Sequence, residues 1–279
     1  MPRELDTRMT AVHPSQDPWV EDLALITDAA RAAGEKAMTY FRQDPDVQWK
    51  NGGRSPVSEA DYAANDILKE RLLAARPAYG WLSEETDDDE ARLGCETLFV
   101  VDPIDGTRAF IAGKDVWCIS VAVVHRGRPV AGVLFAPALD ELFQASEGGF
   151  ASKNGAAILV RAPPAGETLK IALAEDTIVR LEGGYRTGVS RISHVPSLAY
   201  RIAMIADGRI DGTVVKTNSH DWDLAAADLI LEKAGGILAS LDGQLLSYNR
   251  PNVRRTVLCA AAGPLLPALI AAAQGLEGH

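Results

Sequence analysis

The segment Leu98-Phe-Val-Val-Asp-Pro-Ile-Asp-Gly-Thr-Arg-Ala-Phe110 gathers the residue types that metal-assisted phosphoryl chemistry uses. An apolar run leads straight into Asp102, Pro103, Ile104, Asp105, Gly106 and Thr107. Two carboxylates three residues apart, at a strand end stiffened by proline, can face one point. Gly106 lets the backbone turn tightly. If Thr107 opens a helix, its free N–H groups and the helix dipole form an anion site beside the carboxylates. Carboxylates for a hard cation, next to amides for a phosphate, is the layout such chemistry requires. Taken alone, an Asp-Pro turn with an Asx cap explains the same residues as well.

Two further segments carry acids in similar settings. Trp81-Leu-Ser-Glu-Glu-Thr86 places Glu84 and Glu85 directly after an apolar stretch, although Glu84 also fits a solvated loop acid in the run Glu84 to Glu90. Asp221-Trp-Asp-Leu-Ala-Ala-Ala-Asp-Leu-Ile230 places Asp223 at the start of an Ala/Leu-rich helix, where it also fits a helix cap. The coincidence of all three favours one shared site. A phosphate monoester carries about two negative charges near pH 7, which repel an attacking water. Two Mg2+ ions roughly 3.5–4 Å apart neutralise that charge and lower the pKa of water. Carboxylates alone suffice for Mg2+, and the absence of a histidine cluster argues against zinc. His220, beside Trp222 and Asp223, reads as structural.

These residues need elements to hold them. Leu23, Ile26, Ala30, Ala33, Ala37 and Phe41 repeat at helical spacing and predict a helix over 18–43. A polar loop with Gly52, Gly53 and Pro56 follows, then a helix from Ser58. Strands are predicted at 97–101, 118–124, 129–135 and 141–145, with connections short enough for antiparallel hairpins. Beyond residue 165, helices at 197–206, 223–234 and 265–273 alternate with strands at 210–215, 236–240 and 256–261. The fold class is therefore α/β, with a cleft between two layered lobes at 18–160 and 161–279.

Composition narrows the partners. A net charge of −10 disfavours nucleic acid and anionic membrane. Cys95, Cys118 and Cys259 form no CxxC pair, which fits a reducing compartment, and Cys118 and Cys259 read as buried small hydrophobes. Met1 to Asp17 lacks the pattern of a secretory signal, and the apolar runs are short of the roughly 20 residues that span a bilayer. The expectation is a cytoplasmic protein.

Together Glu84-Glu85, Asp102-Pro-Ile-Asp-Gly-Thr107 and Trp222-Asp223 resemble, in order and spacing, the three signature blocks of the inositol monophosphatase superfamily. The resemblance runs from about Leu23 to Ala273. It implies an αβαβα sandwich with an antiparallel sheet in the first lobe and a mixed sheet in the second. It implies Mg2+ as cofactor, two or three ions: one on Glu84, Asp102 and the Ile104 carbonyl, a second on Asp102, Asp105 and Asp223, and a weaker third near Glu84 and Asp61. The Gly106 and Thr107 amides would receive the phosphate. Asp61, from Ser55-Pro-Val-Ser-Glu-Ala-Asp61, would pair with Thr107 to orient the attacking water, although Ser58 and Asp61 also read as a helix capping box. Lys50 matches a lysine near the family's site. Lithium inhibition, a small phosphorylated substrate and a homodimer are further implications. The apolar face from Trp117 to Val124 suits either an interface or a core.

For the substrate, Lys216 stands where inositol-specific members carry a glutamate that reads hydroxyls, and Arg108 replaces a smaller polar residue. Both can meet a second anionic group. The blocks are most similar to the 3'(2'),5'-bisphosphate nucleotidase branch and to bacterial histidinol-phosphate phosphatases. A haloacid-dehalogenase-type phosphatase is a rival, but its motif has one residue between its aspartates where this chain has two, Pro103 and Ile104. A non-catalytic binding protein that keeps the fold is the other.

Overall fold

Side chains alternate along the long strands, and here both sets are apolar, so each large sheet needs cover on both faces. The computed structural model describes residues 17–43, 47–50, 55–181, 183–193 and 195–276. The elements begin with α1 (Val20–Met38), the paired strands β1 (Val47–Lys50) and β2 (Ser55–Ser58), and α2 (Glu59–Ala75). Then come β3 (Gly80–Ser83), β4 (Thr97–Asp105), α3 (Thr107–Ile111), β5 (Cys118–His125), β6 (Arg128–Ala136), β7 (Glu141–Ser146), β8 (Ser152–Lys153) and β9 (Ala156–Ala157). The second half holds β10 (Leu169–Ala172), α4 (Glu175–Ile178), α5 (Gly183–Thr187), β11 (Val189–Ile192), α6 (Leu198–Ala206) and β12 (Gly212–Val215). It closes with α7 (Asp221–Lys233), β13 (Gly236–Ser240), β14 (Leu258–Ala262) and α8 (Leu266–Ala273).

Strands β3 to β9 form one sheet in sequence order, and β11-β10-β12-β14-β13 form the other. Phe99, Val101, Ile119, Val121 and Val133 face α1 and α2, whose Ile26, Ala30, Ala64 and Leu68 complete that core. Their neighbours Leu98, Val100, Ala122 and Leu134 face the opposite way onto α6 and α7, which also cover Ala172, Val215, Leu238 and Ala260 of the second sheet. The far face of that sheet, with Ile171, Val214, Cys259 and Ala261, packs on Leu266 and Leu269 of α8. The result is five layers, αβαβα, with α6 and α7 shared between the sheets. Helix α7 lies close to its sheet because small residues meet there. A Cβ on Gly132 of β6 would stand 3.0 Å from the Ala226 carbonyl oxygen.

Pro56, read as part of a polar loop, lies in β2 opposite Trp49 of β1, and three further differences from the sequence reading have local causes. Helix α1 ends at Met38, and the chain turns through Thr39 to Gln43 with Arg42 at φ 58°. Strand β3 was not foreseen because it is four residues long, and it runs parallel to β4, so the first sheet is antiparallel except at this edge. The connection from 84 to 96 is long enough for such a crossover. Strands β10 and β11 form a parallel pair from a stretch that has little apolar alternation. Trp117 to Val124 is buried within the chain, which makes it core, not interface. Cys118 and Cys259 are buried free thiols. Residues 1–16, Gly52 and Gly53 lie outside the described residues.

Candidate metal and phosphate site

Sheet register places the first two acids. Ser83 pairs with Val101 in the parallel β3–β4 ladder, so Glu84 and Asp102 leave it side by side. The Glu84 amide then donates to the Val101 carbonyl at 3.2 Å. Between the pairs Asp102–Ser120 and Asp105–Cys118, β4 uses one residue more than β5, a bulge at Pro103-Ile104. In a regular strand residues three apart face opposite sides, and the extra residue turns Asp105 back toward the side of Asp102. Proline suits the bulge because it has no N–H to give the ladder. Gly106 follows at φ 97°, and a Cβ there would stand 3.1 Å from that of Ser197, so both the turn and the packing call for glycine.

Helix starts supply the other two acids. Ser58 caps α2, and its amide and hydroxyl donate to Asp61 Oδ2 at 2.8 and 2.6 Å. Asp61 Oδ1 faces the site and accepts from Thr107 Oγ1 at 3.1 Å, while the Ile104 carbonyl is a second acceptor for that hydroxyl, also at 3.1 Å. At α7 the His220 amide donates to Asp223 Oδ2 at 2.7 Å. The His220 ring stacks on Trp222 with centroids 4.6 Å apart, which accounts for it as a structural residue. Asp102 Oδ1 likewise accepts the Ile104 amide at 3.0 Å. For Asp61 the bonds from Ser58 and from Thr107 coexist, because they fall on different carboxylate oxygens.

Glu84, Asp102 and Asp223 each bring an oxygen within 4.8 Å of the others. Burial and then the neighbouring carboxylates push the Glu84 and Asp102 pKa values well up. Burial, with Asp223 next in effect, raises Asp105 to about 7. Burial raises Asp61 too, against the lowering effect of its Ser58 hydrogen bonds. The charges that act most strongly on Asp102 are Glu84, Asp105, Asp223 and Asp61, all acidic. Buried like charges of this kind call for a cation, and an all-oxygen donor set suits a hard divalent ion such as Mg2+. The residues present therefore fit the metal.

A cleft lined by Glu84, Asp102, Ile104, Asp105, Gly106 and Thr107 unites these groups, with Arg108 exposed at its edge. Asp105 lies in the cleft but outside the three-carboxylate group. Its Oδ2 accepts from Ser197 Oγ at 2.5 Å and the Ala199 amide at 2.6 Å, and its Oδ1 from the Leu198 amide at 3.2 Å. Lys216 lies apart, in an adjoining cavity, ion-paired with Asp176 at 2.6 Å. Lys50 ends β1, and its side chain lies outside the described residues. Sequence reading missed the grip of Ser197 to Ala199 on Asp105. It also missed Arg201, whose signal was a lone guanidinium within the apolar helix α6.

Comparison with known proteins shows the family and the fold. A sequence model of the inositol monophosphatase family matches residues 19–277. An inositol-1-monophosphatase of Mesorhizobium japonicum is 33% identical, over 79% of this chain and 86% of its own. The 3'(2'),5'-bisphosphate nucleotidase CysQ of Aggregatibacter actinomycetemcomitans is 28% identical, over 81% and 86%. The solved structure of a Thermotoga maritima IMPase superposes with a TM-score of 0.81 at 25% identity, over 92% of this chain and 98% of that one. The haloacid-dehalogenase reading falls away. The chain belongs to the inositol monophosphatase family.

Proposed function

We propose that this phosphatase hydrolyses a small phosphorylated metabolite, an inositol monophosphate or a 3'(2'),5'-bisphosphate nucleotide, by Mg2+-assisted attack of water. The observation that carries the reading is the convergence of Glu84, Asp102 and Asp223 beside the Asp61–Thr107 pair. A divalent cation bound there supplies charge neutralisation for the ester and acidifies water.

The protein's own residues do the rest. Glu84, Asp102 and the Ile104 carbonyl hold one ion, and Asp102, Asp105 and Asp223 a second; a weaker third near Glu84 and Asp61 completes the set of two or three. Asp105 would join them, because its Oδ1 accepts only the Leu198 amide while its Oδ2 accepts two donors. Ser58 pins Asp61, so Asp61 Oδ1 accepts the Thr107 hydroxyl proton and leaves Thr107 Oγ1 as the acceptor that aligns the attacking water. The Gly106 and Thr107 amides receive phosphate oxygens, and Arg108 meets charge at the mouth.

Chelation with EDTA should abolish phosphate release and Mg2+ restore it, while lithium should inhibit. A malachite-green panel of inositol 1-phosphate, adenosine 3',5'-bisphosphate, fructose 1,6-bisphosphate and histidinol phosphate reads the substrate. Activity that survives chelation contradicts the reading. Inositol 1-phosphate winning by a wide margin contradicts the role given to Lys216, and a win by histidinol phosphate favours the second branch resembled. We also propose a cytoplasmic homodimer, which sedimentation of the full chain tests. Among the described residues no helix is long and apolar enough to cross a membrane, and the three cysteines are free thiols.

A further inference from the structure

Glu84 leaves β3 on a short turn. The Thr86 amide donates to the Ser83 carbonyl, so Glu84 and Glu85 take the two central places of a β-turn. That closing bond is long, at 3.4 Å, and Asp223, Glu85, Asp61 and Asp105 all repel the Glu84 carboxylate. The turn needs holding from outside. Asn65 of α2 is 4% exposed and reaches both of its ends. Ser83 Oγ donates to Asn65 Oδ1 at 2.7 Å, and Asn65 Nδ2 donates to Thr86 Oγ1 at 3.4 Å. Ser83 Oγ also accepts the Glu85 amide at 3.3 Å, which leaves its own proton for Asn65. Thr86 Oγ1 accepts Trp81 Nε1 as well, at 3.2 Å. One hydroxyl thus gives a proton and the other receives one, and a side-chain amide offers both an acceptor and a donor. Asn65 stands four residues after Asp61, one turn along the same face of α2.

We propose that Asn65 is a positioning residue for the metal site: it staples the turn from Ser83 to Thr86 onto α2 and so holds the Glu84 carboxylate where a cation can bind. The proposal rests on the phosphatase reading, with Glu84 as a ligand of the first ion. Asn65 acts through Ser83 and Thr86, not on the ion or the ester. Without the staple, repulsion among the acids would swing Glu84 away from Asp102, and a cation would have to gather it back. The same stretch of α2 then fixes two parts of the site at a set separation, Asp61 directly and Glu84 through Asn65. Groups that orient metal ligands in this way are worth about 10–100-fold in metal affinity.

The test is calorimetric titration of Mg2+ into the chelator-stripped full chain, which needs no substrate. Asn65→Leu keeps the size of the side chain and removes both bonds, and should weaken Mg2+ binding by about tenfold or more. Thr86→Val removes the longer bond, together with that from Trp81, and should weaken binding by less. Thr86→Ser keeps the hydroxyl and should bind within about twofold of wild type. Asn65→Leu and Thr86→Val should also melt lower without metal, because each leaves a buried polar group unpaired. A lower melting temperature with Mg2+ affinity unchanged overturns the proposal and makes Asn65 a residue of the fold alone. So does a Thr86→Ser variant that binds as weakly as Thr86→Val. If Asn65→Leu does not fold, the two Thr86 variants decide. A wild type that takes up no Mg2+ defeats the phosphatase reading and the proposal together, whereas equally tight binding by wild type and variants defeats only the role of Asn65.

Discussion

Asp221 and Asp223 stand two residues apart in the first turn of α7 and live in opposite electrostatic surroundings. Asp221 is fully buried, and Arg255 Nε and Nη2 reach its Oδ1 at 2.8 and 2.6 Å, with Arg250 and Arg92 near. Arg255 in turn donates to the Ser247 carbonyl and lies over the Tyr248 ring. Asp223 instead joins Glu84 and Asp102, where acids confront acids. An acid answered by a guanidinium fixes the fold. An acid crowded by other acids, with only the His220 ring 3.8 Å from its Oδ2 as a partial answer, costs stability without a cation, and so points to one. The difference separates two aspartates that the sequence presents as near twins around Trp222.

The same substitution at both positions sharpens the contrast most. Asp223→Asn should lower kcat/KM by on the order of 10²-fold or more, and leave the metal-free melting temperature equal or higher. Asp221→Asn should strand buried arginines at a cost of roughly 3–5 kcal/mol, a fall of about 10 °C at the usual 2–4 °C per kcal/mol for a chain of this size. Thermal scans beside Mg2+-dependent assays read both, and equal melting shifts would break the distinction.

Next in size is Asp61→Asn. Its amide cannot accept at both positions, so kcat should drop by about 10²-fold, with a capping loss of about 1 kcal/mol and Mg2+ affinity largely kept. Loss of Mg2+ binding in parallel with activity would make Asp61 a ligand of the main ions, not only a neighbour of the weaker third.

A smaller effect follows from the titrating acids. Their folded-state pKa values lie above the unfolded ones, to about 7 for Asp105. Folded protein thus binds more protons between about pH 4 and 7 than unfolded protein does. The metal-free form should lose stability as pH rises through that window. Saturating Mg2+ should flatten the slope and add about 2.7 kcal/mol at a hundred times its Kd. A chelated protein that gains stability toward pH 7 would contradict this. Smallest is Ser58→Ala, about 1 kcal/mol with a modest fall in kcat, because only one of the two donors to Asp61 Oδ2 is lost.

The chemistry of the site was legible wherever one short segment carried it. Asp102 and Asp105 declared themselves through Pro103 and Gly106, and Thr107 does open a helix. The α/β class followed from the pattern of elements, whereas the five layers came only with the family resemblance, and runs apolar on both faces, such as Leu98 to Val101, are what the layers cover. What the sequence hid were relations between distant segments. The β3–β4 register sets Glu84 beside Asp102 although β3 is too short to announce itself. Ser197 to Ala199 hold Asp105 from more than ninety residues away. Lys216 stood out by its position, yet Asp176 rather than the carboxylate cleft engages it, and an exposed ion pair leaves no mark on spacing. Asp61 shows the limit of choosing between readings, because the capping bond and the bond from Thr107 fall on two different oxygens of one carboxylate.

Calorimetric titration of Mg2+ into chelator-stripped protein near pH 7.5 tests the central claim directly, with wild type and Asp223→Asn run side by side. Wild type should bind with release of protons from the crowded acids, and Asp223→Asn should bind far more weakly while melting no lower. A wild type that takes up no ion, or an Asp223→Asn variant that binds as tightly as its parent, would contradict it.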